Sequence, residues 1–299
     1  GRNVAIGDNT LAALNYDDVG YNVAMGFYAG AAMTTGLENT LVGGKAGDAL
    51  TTGSYNVAIG MDALDAEDTG SRNVAIGYNS LKSLNYDGNG YNVAVGFEAG
   101  KAVTTSTGNT LIGAQAGDAA LTGIENSFVG FGAGSSNTSG DRGVALGAYA
   151  LTSNTVGARN VAIGHGAMQS NVDGSYSVAI GYSALNAQDP ASAVNMYNVA
   201  VGYSAGLSVT TGIVNILIGG FAGDALTTGG DNVAIGHAAL STEDGHGKNI
   251  AIGTQALEDQ NAGADGYNIA IGHQAGRDVT TGVYNILIGA IAGDAITTA

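Results

Sequence analysis

Short alternations of apolar and small residues recur along the whole chain. The first has the sequence Asn-Val-Ala-Ile-Gly over residues 3–7, and variants of it follow at sixteen further positions. These begin at Asn22, Asn39, Asn56, Asn73, Asn92, Asn109, Asn126, Gly143, Asn160, Ser177, Asn198, Asn215, Asn232, Asn249, Asn268 and Asn285. The spacing is 17 residues in twelve of the sixteen gaps, 19 in three and 21 in one. Such a period is typical of a solenoid, in which one small unit stacks many times.

Each repeat, or coil, can be numbered from its first residue as position 0. Position 0 is Asn in fifteen coils, position +4 is Gly in all seventeen, and position +3 is Ile, Val, Leu or Met. The alternation predicts a β-strand over +1 to +3. We expect Val and Ile at +1 and +3 to fill the interior, with Ala at +2 and Gly at +4 forming a flat outer face. A second short strand is predicted near +5 to +8, before a Thr-Thr-Gly turn.

Two columns of repeated residues are predicted to be structural. An Asn at the same corner of every coil can bond the backbone of neighbouring coils and tolerate a left-handed turn. The Gly at +4 permits a turn with positive φ. Ligand contact by the Asn column is the alternative. Representative members of the two columns are Asn22, Asn39, Asn56, Asn73, Gly26, Gly43, Gly60 and Gly77.

The repeat predicts an all-β fold, a parallel β-solenoid of about seventeen coils that runs as a single array over 1–299. The polar segment 135–159 is a candidate junction between two sub-arrays, and we expect the chain to be a segment of a longer protein. Each thin coil buries only three or four modest side chains, which is too little apolar burial to offset the conformational entropy lost in ordering its residues. We therefore expect self-association through the flat Ala and Gly face.

Composition narrows the possible partners. Nine basic residues face twenty-five acidic ones, for a net charge of −16, which disfavours binding to nucleic acid or to an anionic membrane surface. No apolar run is long enough to span a bilayer. The chain has no Cys, so neither a disulfide nor a thiolate metal site can form.

The four longer gaps all follow the same type of coil, the first in a recurring order of four. Their extra residues are expected to protrude from one edge, where insertions in solenoids often bind ligands. Tyr beside Asp in these segments could stack on sugars and hydrogen-bond to them. The alternative is a solvated loop whose Tyr covers the adjoining coil. The candidate contact residues are Tyr16, Asp17, Asp18, Tyr86, Asp87, Tyr197, Asp265 and Tyr267.

Several motifs resemble catalytic or metal-binding sites, but their positions within the repeat disfavour these functions. Ser204 lies in a Gly-Tyr-Ser-Ala-Gly sequence, but its equivalents in coils of the same type are Tyr, Glu and Gln, so we expect no catalytic site and no enzyme. His165, His237 and His273 share position +5 in coils that are never adjacent, which disfavours a metal column. We expect no cofactor, with weak Ca²⁺ binding left open at an acidic cluster. That cluster consists of Asp62, Asp65, Glu67 and Asp68.

The coil pattern N-[VST]-[AL]-[IV]-G-x-x-[AS] resembles the head repeat of YadA-like trimeric autotransporter adhesins. The longer form NTLIGxxAGDALTTG…NVAIGxxAL is similar to repeats of bacteriophage tail-fibre proteins. The resemblance implies a left-handed β-roll in a homotrimeric fibre that attaches to a host cell-surface receptor, with a glycan as one candidate. It implies location on a virion, or on a cell surface if the alternative, a bacterial adhesin head, is correct. Adhesin coils are shorter than 17 residues, which favours the phage fibre.

Overall fold

A computed structural model of the chain describes residues 2–15 and 19–298. Three candidate contact residues, Tyr16, Asp17 and Asp18, lie outside this part of the chain. The fold is all-β, a parallel β-solenoid of about seventeen turns, and the described residues include no helix. Two units can be distinguished, 1–148 and 149–299, and their boundary falls within the polar segment 135–159.

Every coil contributes one three-residue strand. Unit 1 contains β1 to β9, which are Val4–Ile6, Val23–Met25, Thr40–Val42, Val57–Ile59, Val74–Ile76, Val93–Val95, Thr110–Ile112, Ser127–Val129 and Val144–Leu146. Unit 2 contains β10 to β17, which are Val161–Ile163, Val178–Ile180, Val199–Val201, Ile216–Ile218, Val233–Ile235, Ile250–Ile252, Ile269–Ile271 and Ile286–Ile288. Within each unit, successive strands pair in parallel, and each residue lies opposite the residue at the same position of the next coil. The predicted strand over +1 to +3 is therefore confirmed.

The predicted second strand is wrong. In the described residues, positions +5 to +8 form consecutive turns instead of a strand. Residues at +6 and +8 often take left-handed backbone conformations, as at Asp62 with φ 54° and Leu64 with φ 56°. Alternation of right- and left-handed residues bends the chain too sharply for an extended ladder.

The predicted assignment of inward and outward faces is also wrong. In β2 to β16, the side chain at +2 is buried and those at +1 and +3 are exposed or half-buried. Ala and Leu at +2, Ala at +7, and Leu at +8 or +11 form the core. The interior of a 17-residue coil is narrow, so it accepts small or single larger side chains, while the β-branched residues lie outside. The outward side of each strand thus carries Val and Ile.

Large and small core residues of neighbouring coils fit against one another. Gly100 has φ 61°, and a Cβ added to it would lie 2.8 Å from Leu111 Cδ1 and 2.9 Å from Leu81 Cδ2. The two leucines belong to the preceding and following coils, and both are fully buried. The fixed order of coil types therefore follows from packing, because a coil with Gly at +8 makes room for leucines on both sides.

The Asn column closes each coil and joins it to its neighbour. Asn56 Nδ2 donates a hydrogen bond to Gly70 O at 2.9 Å, fourteen residues later in the same coil. Asn56 Oδ1 accepts a hydrogen bond from the backbone N–H of Asn73 at 2.9 Å. Asn22 and Asn39 make equivalent bonds, and the four representative side chains are fully buried. The left-handed residue at this corner is the one before the Asn, as at Tyr55 with φ 62°.

At +4, a side chain larger than that of Gly would clash with the backbone of the next coil. Gly60 has φ 137°, and a Cβ on it would lie 2.5 Å from Gly77 O in the next coil. Real Cβ atoms do not approach a backbone oxygen this closely. The same close approach recurs at Gly26, Gly43 and Gly77. Close stacking of coils at this corner therefore depends on the absence of a side chain.

A second buried polar column lies at +11 in unit 2. Asn171 Nδ2 donates to Asn154 Oδ1 at 3.0 Å, and Gln188 Nε2 donates to Asn171 Oδ1 at 3.0 Å. Gln188 Oε1 then accepts from Asn198 Nδ2 at 3.1 Å and from Ser177 Oγ at 3.2 Å. Where Ser177 occupies position 0, the backbone N–H of Asn198 therefore donates to Ser177 Oγ at 3.4 Å, and Gln188 accepts from the Asn198 side chain.

Candidate functional site: an apolar face and a column of surface rings

Outward side chains at +1 and +3 form an apolar face, the name used below for these two columns. Its more exposed members are Val4, Ile6, Met25, Ile59, Ile112 and Leu146 in unit 1, and Ile180, Ile216, Ile218, Ile271, Ile286 and Ile288 in unit 2. Three residues span about 10 Å and strands lie about 4.8 Å apart, so the nine strands of unit 1 cover a footprint of about 400 Å². Thr40, Thr110 and Ser127 are the polar residues within it. Exposed apolar patches of this extent are often functional.

Exposed side chains at +5, many of them aromatic, extend the apolar character of several coils. Phe27, Met61, Phe97 and Phe131 in unit 1 are each about half exposed. In unit 2 the ring of Tyr182 stacks on His165 at 5.4 Å and on Tyr203 at 5.2 Å. These rings are aligned with one another but leave an edge open to solvent. His237 and His273 are also exposed at +5.

A second exposed column occupies position −1, immediately before each Asn, and is called the ring column below. Tyr267 stacks on Tyr284 with centroids 5.1 Å apart, and Lys248 Nζ lies 5.1 Å from the Tyr267 centroid. In unit 1 the Arg72 guanidinium lies 4.9 Å from the Tyr55 centroid and 6.0 Å from that of Tyr91. Stacked rings with cations beside them offer flat contact surfaces for planar or sugar-like ligands.

The candidate contact residues divide between the protruding segments and the ring column. Tyr197 and Tyr267 belong to the ring column, and Tyr197 lies 5.5 Å from the ring of Tyr176. Asp265 accepts hydrogen bonds from Lys248 Nζ at 2.5 Å and from Gly247 N at 3.2 Å, and these bonds lower its pKa. Asp265 and Tyr267 are therefore brought together through Lys248, while Tyr197 lies four coils away.

Tyr86 and Asp87 lie in a protruding segment of unit 1. Tyr86 is half-buried, and its backbone N–H donates to Glu67 Oε2 at 3.2 Å. Asp87 is exposed and accepts a hydrogen bond from Thr69 Oγ1 at 2.5 Å. These contacts fix the segment against the preceding coil.

The acidic cluster proposed for Ca²⁺ is divided among different interactions. Asp62 pairs with Lys82 Nζ at 2.9 Å, and Asp65 hydrogen-bonds to Asp48. Glu67 is fully buried, and its Oε1 accepts from Gly70 N at 2.7 Å. Desolvation raises the pKa of Glu67. The carboxylates of this cluster thus face separate partners.

The ring column was missed by sequence reasoning, which treated its tyrosines as parts of loops. The available signal was the position of Tyr, Arg, Lys and Glu directly before Asn at the 17-residue spacing. The outward face was missed for another reason, since alternation alone does not identify the buried side. Correcting the two assignments defines a solenoid with an exposed aliphatic face and an exposed ring column.

The fold and surfaces together define a β-solenoid repeat protein. No protein-family model matches this sequence, and a comparison with curated proteins finds no significant match. None of the described residues belongs to a helix that could cross a membrane.

Proposed function

We propose that the chain is a structural and adhesive fibre protein, the trimeric β-solenoid segment of a phage tail fibre or related virion fibre that attaches to a host. The apolar face is the observation that carries this proposal. A column of exposed Val and Ile along each unit is costly in water. Burial between copies of the chain removes that cost. The resemblance of the coil to trimeric fibre repeats supports three copies.

The role of the apolar face can be tested by introducing charged residues into it. Ile59 and Ile76 lie side by side at +3 of adjacent coils. The double variant Ile59→Glu/Ile76→Glu places two carboxylates in the proposed interface, where burial of unpaired charge is strongly unfavourable. We expect the trimer to dissociate while each chain keeps its β-structure by circular dichroism. Thr52→Glu, at an exposed turn residue, is the matched control and should leave the particle mass unchanged. An unchanged mass for the double variant would contradict the proposed interface.

Host attachment is assigned to the ring column beside the longer segments. Three copies around one axis would present each ring in threes, so weak contacts add through multivalency. Fluorescently labelled chain should bind intact host cells or a host glycan panel. Tyr197→Ala/Tyr267→Ala should reduce this binding, because both rings lie beside inserted residues. Tyr55→Ala removes a ring from a coil without an insertion and should bind normally. Equal loss in both variants would refute the assignment.

The second candidate is the head of a bacterial trimeric autotransporter adhesin, favoured by the resemblance of the shorter coil pattern. Both candidates use the same interface between copies, so oligomeric state does not separate them. The sequence of the full-length gene separates the two candidates. A C-terminal membrane anchor would favour the adhesin, and a virion-attachment region would favour the fibre.

A further inference from the structure

The turn at residues 241–247 in unit 2 contains a buried carboxylate that lacks a partner. Glu243 occupies the interior position +11 and is fully buried. Its Oε1 accepts a hydrogen bond from the backbone N–H of His246 at 3.1 Å, but its Oε2 has no partner. An unpaired carboxylate oxygen in an interior costs free energy, so a missing ligand is indicated.

The equivalent turn of unit 1 shows how the same residue is satisfied without a ligand. Glu67 also lies at +11, and its two oxygens accept from Gly70 N at 2.7 Å and Tyr86 N at 3.2 Å. Gly70 stands where unit 2 has His246. The unpaired oxygen and the imidazole thus occur together in one turn and are both absent from the other.

Three potential ligand atoms converge at the turn in unit 2. One carboxylate oxygen each from Glu243 and Asp244 and one ring nitrogen of His246 all lie within 4.8 Å of one another. His246 Nδ1 is buried, lies 3.3 Å from Glu243 Oε1, and makes no hydrogen bond. Bonds of 2.0–2.2 Å to a tetrahedral metal ion separate neighbouring ligand atoms by roughly 3.3–3.5 Å. The distance from Glu243 Oε1 to His246 Nδ1 therefore fits two ligands of one ion, with Oε1 keeping its hydrogen bond from the His246 N–H.

The turn is already held in place by the preceding coil. Asp244 O accepts from Thr227 N at 2.5 Å and from Thr227 Oγ1 at 2.7 Å. Gly245 O accepts from Thr228 Oγ1 at 3.2 Å. An ion would bind a fixed backbone, which lowers the ordering cost of binding.

We propose that Glu243, Asp244 and His246 bind a divalent transition-metal ion, with Zn²⁺ as the fitting example. Imidazole and carboxylate ligands suit Zn²⁺ better than Ca²⁺, which takes six to eight oxygens. Two carboxylates and a neutral imidazole balance the charge of the ion. The His246 ring is partly exposed and Asp244 is exposed, so solvent can reach the ion and complete its coordination.

The competing explanation involves the neighbouring coil. Gln260 occupies +11 there, and its Nε2 is also buried without a partner. Gln188 and Asn171 show that side chains at +11 of adjacent coils can reach each other. A small rearrangement could therefore let Gln260 donate to Glu243 without any metal ion.

The experiment uses the full chain without an affinity tag, stripped with chelator and titrated with Zn²⁺ by calorimetry, and with Co²⁺ by absorption. We expect one saturable site per chain, from which Zn²⁺ displaces Co²⁺. His246→Gly, which copies the turn of unit 1, should weaken binding by more than about tenfold. Glu243→Gln should do the same while circular dichroism shows the fold retained. His237→Gln, at an exposed imidazole five residues into the same coil, should bind like the wild type.

Two results would overturn the proposal. The first is the absence of saturable Zn²⁺ binding to the stripped wild-type chain. That result would favour a hydrogen bond from Gln260 to Glu243 instead of a metal ion. The second is binding that survives His246→Gly but is lost in His237→Gln, which would place the ion elsewhere. Neither result bears on self-association through the apolar face.

Discussion

Replacement of one buried Asn should destabilise the solenoid by more than any ordinary surface change. Asn56→Ala removes the donor to Gly70 O and the acceptor for Asn73 N–H, both at 2.9 Å. Gly70 and Asn73 are buried, so water does not replace the lost partners. Each stranded buried group costs about 1–3 kcal/mol. The expected loss is therefore about 2–6 kcal/mol.

Hydrogen exchange is the appropriate assay because repeat arrays can unfold in parts. In Asn56→Ala the amide of Asn73 should exchange much faster than in the wild type, and the denaturation midpoint should fall. Asn85→Ala, at an exposed Asn, is the matched control. That control should cost less than about 0.5 kcal/mol. A loss below about 0.5 kcal/mol in Asn56→Ala, with Asn73 still protected, would refute the structural role of the column.

Two further predictions concern the steric effect of a side chain at Gly60 and the dependence of stability on pH. Gly60→Ala should destabilise the chain by more than about 2 kcal/mol or prevent folding, because its Cβ would lie 2.5 Å from Gly77 O at φ 137°. Gly44→Ala, where a Cβ meets nothing within 4 Å, should change the melting temperature little, and equal effects would contradict the steric argument. Desolvation and a hydrogen bond to Asp65 raise the pKa of Asp48 to about 7. The proton on Asp48 stabilises the fold fully below about pH 4, and this contribution is lost as pH rises toward 7. Asp48→Asn should therefore melt above the wild type at pH 8 and close to it at pH 4; the same difference at both pH values would contradict the shift.

The sequence predicted the solenoid and the strand at +1 to +3, because the period is visible without any knowledge of packing. It wrongly predicted a second strand at +5 to +8, where left-handed residues form turns. It did not predict which side of the strand is buried, since alternation separates two sets of residues without orienting them. The decisive constraint is size. Gly100 is small because Leu81 and Leu111 occupy the space beside it, which places +2 and +8 in the interior.

The candidate site was predictable only in part. Tyr197 and Tyr267 were named from the sequence as candidate contact residues, but their alignment with Tyr176 and Tyr284 follows from the left-handed residue before each Asn. No propensity rule predicts Tyr in that conformation. The unpaired oxygen of Glu243 could not be predicted either, because the sequence of the turn resembles the satisfied turn at Glu67.

The central claim is that copies of this chain cover the apolar face. The most direct measurement is the molar mass of the native chain by light scattering coupled to size-exclusion chromatography at micromolar concentration. The account predicts a particle of about three times the 29.4 kDa of one chain. A stable, soluble particle with the mass of a single chain would leave the Val and Ile columns in water and would contradict it.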